Sequence, residues 1–421
     1  MNRSIFSFLI TLLVSSMLLS AAPATVSEDG TLRIFGNANM DDTIDGDDVA
    51  YLEGIIDGTN DETKLADAKH DGVIDEDDIA QIELIIAGEE DQLIILDDAR
   101  NPLALTMPIR RIIVLSADCS EVIRCFGIDD RIIAVDSYTA EDINFFPKFA
   151  DLPTVGSSFH PDCEAIIELN PDIVFAYTSV NEEELEDKLE PAGIPVVRFS
   201  TCKVPTRDIQ LRTIGYILGE DAKAEEIIEF YNGITNPLAE ALDDLSDGEK
   251  PRVYIECYKE YRARNQRSGT HPMVEMAGGI NIAQDLDPLG SGTTLEVDPE
   301  WIIEQNPEII IKVVSGSTVS CGYDLDDSSQ MKLARDEIIN RPGFENIDAI
   351  KNGRVYLISS HICDRSCNAI GIAYLAKWFY PELFEDLNPQ AIHQEYLTRF
   401  QRLDYDLGKH GVFVYPSLGV S

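Results

Sequence analysis

The sequence predicts an α/β protein of two Rossmann-like lobes joined by one long helix, with a ligand cleft between the lobes and a small all-α module ahead of them. Three observations predict this. From Arg110 onward, short apolar β-branched runs alternate with helical patterns in two successive sets, and such alternation packs as parallel βαβ units. One long helical stretch, 219–248, separates the sets. Ahead of them, residues 45–58 and 75–88 match at eight of fourteen positions, thirty residues apart, as expected of one supersecondary unit used twice. The expected boundaries are a leader over 1–24, the small module over 28–90, an N-terminal lobe over 93–218, the connecting helix over 219–248 and a C-terminal lobe over 249–421.

Arg3 is followed by an apolar run from Ile5 to Leu19 and then by Ala21, Ala22, Pro23 and Ala24, the layout of a secretory signal peptide with an A-x-A-like end. The run of fifteen falls short of the roughly 20 residues that a membrane-spanning helix needs. The chain is therefore expected to be exported and cleaved near Ala24. It should then be soluble in the periplasm, at the cell surface or outside the cell. No cysteine near Ala24 offers a site for a lipid.

Charge narrows the partners. With 76 Asp and Glu against 33 Lys and Arg, the formal charge is −43, whereas nucleic-acid and anionic-lipid surfaces need Lys/Arg patches; nucleic acid is excluded as a partner. Residues 27–98 alone hold 23 acids against Arg33, Lys64 and Lys69. Here each repeat opens on a twelve-residue loop. The first sets Asn37, Asn39, Asp41, Asp45 and Asp48 at positions 1, 3, 5, 9 and 12, with the Thr43 carbonyl at 7; the second sets Asp67, Asp71, Asp75 and Asp78 at 1, 5, 9 and 12, with the Val73 carbonyl at 7. Oxygen donors on this spacing suit Ca²⁺. Lys69 places an ammonium at position 3 of loop two, so two Ca²⁺ sites are expected, the second weaker. Ile44 and Ile74, at position 8, are expected to pack the loops together. The following helices align Val49, Leu52, Ile55 and Ile56, and Ile79, Ile82, Ile85 and Ile86, on one face each. Asp rather than Glu at position 12, and the lack of a full entering helix, make 28–90 resemble a dockerin, the duplicated EF-hand-like module of cellulosome assembly. That resemblance implies a cohesin-bearing surface protein as partner and a calcium-dependent tether in place of a lipid. Asp42 in place of a loop glycine and a long connecting segment depart from the pattern, and an acidic helical pair without metal is the plainer alternative.

The N-lobe strands are expected at 111–116, 131–138, 172–177 and 195–199, and the C-lobe strands at 252–258, 308–314 and 354–359. Between the sets, Asp221 opens a helix along which Ala224, Ile227, Ile228, Tyr231, Ile234 and Leu238 recur at helical spacing, with Pro237 placed to kink or interrupt it. Paired α/β lobes bind ligands beyond their strand C-termini. Those ends nominate Ser116, Tyr138, Ser158, Phe159, His160 and Tyr177 on the N-lobe, and Tyr258, Tyr261, Arg262, Arg264, His361 and Arg365 on the C-lobe. Guanidinium groups there suit carboxylate, phosphate or catecholate oxygens, and aromatic rings suit a chelate rim or macrocycle. Surface salt bridges are the plainer use of the same arginines.

The segments RIIVLSADCSEVIRCFGIDDRIIAVDSY, LPTVGSSFHPDCEAIIELNPDIVFAY, HPMVEMAGGINIA and LEVDPEWIIEQNPEIII follow one another in order. Through them, residues 93–400 resemble the cobalamin/iron-siderophore family of ABC-transporter solute-binding proteins. The resemblance implies a receptor that holds a metal chelate (iron-siderophore, haem or corrinoid) between its lobes. It would deliver that small molecule to an ABC permease and its ATPase. Docking is implied through one glutamate per lobe; by motif these are Glu164 in PDCEAII and Glu300 in DPEWII, although acids are favoured in helix first turns anyway.

Eight cysteines in an exported chain favour disulfides or capped thiols. Cys119, Cys202, Cys321, Cys363 and Cys367, with His160, His271 and His361, form the alternative of a soft-metal or haem site, and Cys125 reads as core. No P-loop ending or G-x-S-x-G elbow is present. The expected protein is not an enzyme; the alternatives are an extracellular scaffold or adhesion protein without a transport role, and a carbohydrate-active enzyme of a cellulosome-like complex.

Overall fold

The structure, a computed structural model, describes residues 30–98, 102–178, 182–287 and 292–418; the expected signal peptide lies outside them. In the N-terminal unit, Asp45 and Asp75 cap α1 (Gly46–Ile56) and α2 (Glu76–Ala87), and each cap is closed as a capping box by Asp48 or Asp78. Turns and bends, not helices, enter each loop. Leu52, Ile55, Ile82 and Ile85 are buried between the helices and the adjoining lobe, whereas Ile56 and Ile86 are 37% and 45% exposed. The expected four-residue faces are thus narrower, because the residue after Ile55 or Ile85 turns about 100° away around the helix.

Ile44 is buried in the core that the unit shares with the lobe, and Ile74 is partly buried against the same core. The Ile44 N–H also donates to the Tyr216 hydroxyl (3.0 Å), which meets Thr43 Oγ1 (3.3 Å). Arg212 ties Asp42 to Glu225, both at 2.6 Å. The unit is packed onto the lobe behind it and shares its hydrophobic core.

The N-lobe begins with an antiparallel hairpin, β1 (Gln92–Leu96) and β2 (Pro102–Thr106). Then come β3 (Ile112–Val114), α3 (Ala117–Phe126), β4 (Ile132–Val135), α4 (Ser137–Glu141), a short hairpin of β5 (Gly156–Ser157) and β6 (His160–Pro161), α5 (Cys163–Leu169), β7 (Ile173–Ala176), α6 (Glu182–Leu189), β8 (Val196–Arg198) and α7 (Val204–Leu218). The central sheet is parallel in the order β4-β3-β7-β8. The strand expected over 131–138 stops at Val135 because the Asp136 carboxylate accepts the N–H groups of Tyr138 and Thr139 and starts α4.

The connecting helix is α8 (Asp221–Leu242), unbroken at Pro237. An interior proline costs about 3 kcal/mol, but Ile234, Leu238 and Leu242 are buried on either side of it, and each contributes about 1.5–3 kcal/mol. Packing wins.

The C-lobe comprises β9 (Arg252–Cys257), β10 (Arg262–Arg264), α9 (Thr270–Met276), β11 (Ile280–Asn281), β12 (Thr294–Glu296), α10 (Pro299–Gln305), β13 (Ile309–Val314), α11 (Ser329–Ile339), α12 (Asp348–Lys351), β14 (Val355–Ser359), α13 (Asn368–Phe379), α14 (Pro389–Glu395) and β15 (Val414–Tyr415). Its sheet runs β12-β10-β9-β13-β14-β15, with β11 beside β9. Strands β9, β11, β13 and β14 are parallel; β10, β12 and β15 are antiparallel additions. None of the eight cysteines is in a disulfide, seven being buried and Cys202 half-buried, which corrects the expectation of disulfides: the thiols are absorbed into packing or local hydrogen bonds, as Cys363 Sγ is by the Ser359 carbonyl (3.3 Å). Among the described residues no helix is long and apolar enough to cross a membrane.

Candidate functional site

The lobes meet where strand ends and helix starts converge. Ser116, after β3, is fully buried and caps α3 by accepting the Cys119 N–H, so its hydroxyl is spent within the N-lobe. The Ala117 N–H donates to the Tyr177 hydroxyl (3.2 Å), holding that ring against the same helix start. Across the seam, Ser366 Oγ meets Thr201 Oγ1 at 2.6 Å and donates to the Asp118 carbonyl at 3.3 Å, while Asn368 Nδ2 donates to the Cys202 carbonyl at 2.7 Å.

Two ionic clusters flank this seam. In the first, Arg365 of the C-lobe donates to Asp142 of the N-lobe (2.7 Å) and lies over the Phe145 ring, 5.1 Å from its centre; His361 Nε2 is 3.7 Å from the same carboxylate. Burial works to raise the Asp142 pKa, but Arg365 and His361 outweigh it and hold the carboxyl well below its usual range. Burial, helped by Arg365, lowers the pKa of His361. In the second, Arg264 is buried and forks onto Asp364 (2.6 and 2.7 Å), which also accepts the Tyr258 hydroxyl (2.8 Å). Two of the nominated arginines are therefore already neutralised by carboxylates.

Between the clusters lie acids that the sequence did not single out. Asp118 and Glu121, on the first turns of α3, are buried, and Asp118 Oδ2, Glu121 Oε2 and Arg365 Nη1 lack hydrogen-bond partners. Burial, reinforced by Glu121, pushes the Asp118 carboxyl up to about 7. These partners were hidden because the pairing residues come from distant parts of the chain; the signal available was the charge alternation of Asp364-Arg365 and the acids flanking Cys119.

Exposed aromatics complete the site. Tyr138 and Phe159 are 56% and 53% exposed and form an edge-to-face pair with ring centres 6.3 Å apart. Tyr138 stands on α4, just before Asp142, and Phe159 on the turn between β5 and β6 beside buried Ser158 and exposed His160. On the other side, Tyr258 and Tyr261 both adopt left-handed backbone (φ 57° each) in the β9–β10 turn. Tyr261 packs within the C-lobe, edge-to-face with Phe344 and with the Arg341 guanidinium 4.5 Å from its ring centre. Arg262 is exposed and donates to Thr294 Oγ1 (2.8 Å). Glu164 and Glu300 are exposed in the first turns of α5 and α10.

In the N-terminal loops, Asp48 and Asp78 are buried and accept the N–H groups of Asn39 and Asp45, and of Lys69 and Asp75. Lys69 Nζ pairs with Asp77 (2.8 Å) and lies 3.9 Å from Asp71. Among the described residues no three His, Cys, Asp or Glu side chains form a group able to hold a metal ion.

A model of the family described as periplasmic binding protein matches residues 112–361. An uncharacterized ABC transporter substrate-binding lipoprotein of Bacillus subtilis, YvrC, is 22% identical over 299 residues, covering 69% of this chain and 87% of that protein. The molybdate-binding protein MolA of Haemophilus influenzae is 22% identical over 288 residues, covering 62% and 76%. Among solved structures, the TroA-like periplasmic binding protein FepB from Veillonella parvula matches with a TM-score of 0.64 at 22% identity, covering 76% of this chain and 98% of that one.

Proposed function

Since this chain belongs to the periplasmic binding protein family, we propose that it is the exported solute-binding protein of an ABC importer, capturing a metal chelate and handing it to a permease and its ATPase. The observation that carries the reading is the exposed Tyr138–Phe159 pair beside an inter-lobe seam whose arginines are already paired. A small oxyanion is recognised by unengaged guanidinium and amide donors; a chelate or macrocycle presents a broad apolar rim that aromatic rings cover. The likeness to MolA, named for molybdate, supports the oxyanion as the competing ligand. Calorimetric titration with a ferric tris-catecholate siderophore, haemin, cyanocobalamin and molybdate separates them. One of the three chelates should bind at about 1 µM or tighter, and Tyr138→Ala with Phe159→Ala should weaken it about tenfold, or 1.4 kcal/mol. Binding of molybdate alone would overturn the chelate reading.

The N-terminal unit is read as a dockerin-like calcium module that tethers the receptor to a cohesin-bearing surface partner. Loop one offers all-oxygen donors in Asn37, Asn39, Asp41, the Thr43 carbonyl, Asp45 and Asp48, and a carboxylate as buried as that of Asp48 is costly without a compensating cation. Loop two offers Asp67, Asp71, the Val73 carbonyl, Asp75 and Asp78, with the Lys69 ammonium held near Asp71, so its affinity is the lower. Bound Ca²⁺ would supply a fixed positive charge that orders each loop. Calorimetry on EDTA-stripped protein should resolve a tighter and a weaker Ca²⁺ site, Asp48→Ala removing the tighter. A pull-down that recovers the same proteins in Ca²⁺ and in EDTA would sink the tether.

A further inference from the structure

A groove of about 780 Å³ lies between α8 and the segment 382–395, and none of its lining residues belongs to the cleft. Its floor is apolar: Phe230, Ile234 and Leu238 from α8, with Leu383, Leu387 and Ile392 opposite. Leu383 is 50% exposed. Its rim is acidic: Glu229, Glu382, Glu385, Asp386 and Glu395 all line it and all are exposed. Glu395 pairs with Arg399 (3.3 Å); among the described residues the other four form no ion pair. The ammonium of nearby Lys377 is engaged by the carbonyls of Phe384 and Glu385 (2.6 and 2.5 Å).

Gly233 sits in the middle of this face. A side chain added there would meet nothing within 4 Å. A glycine inside a helix costs about 0.5–1 kcal/mol relative to alanine, and no packing within this chain requires it. What its absent side chain leaves open is the floor of the groove, where another backbone can approach closely.

We propose that this groove is a docking site for a basic amphipathic helix of a partner protein. Charge selects that occupant: the rim repels anionic lipid and acidic peptides, whereas Lys and Arg flanking an apolar stripe satisfy rim and floor together. Length agrees. From Glu229 to Ala241 the groove follows α8 for about 18 Å at 1.5 Å per residue, room for about three turns of a second helix.

The test uses the full chain and a fluorescein-labelled fourteen-residue peptide with Leu at positions 2, 6, 9 and 13 and Lys elsewhere, read by fluorescence anisotropy at 0.15 M salt. Saturable binding is expected. It should weaken about tenfold or more, at least 1.4 kcal/mol, for a peptide of the same composition with its Leu scattered round the helix. Gly233→Leu, which fills the floor and favours the helix, should weaken it equally with a melting temperature no lower than the wild type's. Glu382→Lys with Glu385→Lys and Asp386→Lys gives the second handle should Gly233→Leu misfold. Equal binding of ordered and scattered peptides, or binding unmoved by the rim variant, overturns the proposal. So does self-association in sedimentation that Gly233→Leu abolishes, since a second copy would then be the occupant.

Discussion

Arg264 and Asp364 form the tightest ionic contact in the C-lobe half of the seam, two hydrogen bonds at 2.6 and 2.7 Å with the arginine buried. Removing one partner of such a pair strands a desolvated charge, which costs about 3–5 kcal/mol. Asp364→Ala should therefore lose that much in urea unfolding; a loss under about 1 kcal/mol would mean that the pair behaves as a solvated one. Asp118 makes the opposite prediction in pH. Its carboxyl is raised from 3.8 to about 7, so between those values the native state binds more protons than the unfolded chain, and stability falls as pH rises through that window. Asp118→Asn should flatten that decline relative to the wild type. Arg264 and Arg365 stood out as bases in an acidic chain, but their partners lie 100 and 223 positions away, and pairing over such separations is written in the fold alone.

The elements themselves were more legible. β9, β13 and β14 fall inside the apolar runs that predicted them, because strands buried on both faces read as continuous β-branched segments. Local side-chain chemistry sets what the runs do not show: the Asp136 carboxylate converts the end of one expected strand into α4, and the Ile44 N–H is held by the Tyr216 hydroxyl of α7. Tyr216→Phe removes the hydroxyl that meets Thr43 and Ile44. It should cost about 0.5–1.5 kcal/mol per hydrogen bond and raise hydrogen exchange at the Ile44 amide, leaving the C-lobe amides unchanged; uniform exchange would place the docking of loop one elsewhere. The β5–β6 turn is equally exacting. Gly156 has φ +82°, and an added Cβ would overlap the His160 carbonyl oxygen. Gly156→Ala should displace Phe159 and lower chelate affinity by more than it lowers stability.

At the scale of the whole molecule, the two-lobed plan was readable from order and spacing, whereas the closeness of the lobes was not, since it rests on contacts such as Ser366 with Thr201 that join sequence-remote loops. The plan does repeat one device in both lobes. Helices α5 and α10 are each seven residues long, are capped by Asp162 and Asp298, end on left-handed Asn170 and Asn306, and carry Glu164 and Glu300 at matching exposed positions. Neither glutamate forms an ion pair among the described residues, so changing its charge disturbs little within the chain, within about 0.5 kcal/mol. Two outward carboxylates, one per lobe, suit a partner with two matching cations that reads both lobes at once. Opposite charge then sets encounter rate and register. If the proposed importer role holds, reversing both with Glu164→Arg and Glu300→Arg should abolish uptake in cells that carry the permease, while calorimetry shows ligand binding as in the wild type. Each single reversal should give an intermediate, salt-sensitive loss, because one attractive contact remains. Uptake at the wild-type rate in the double variant would remove these residues from the docking surface.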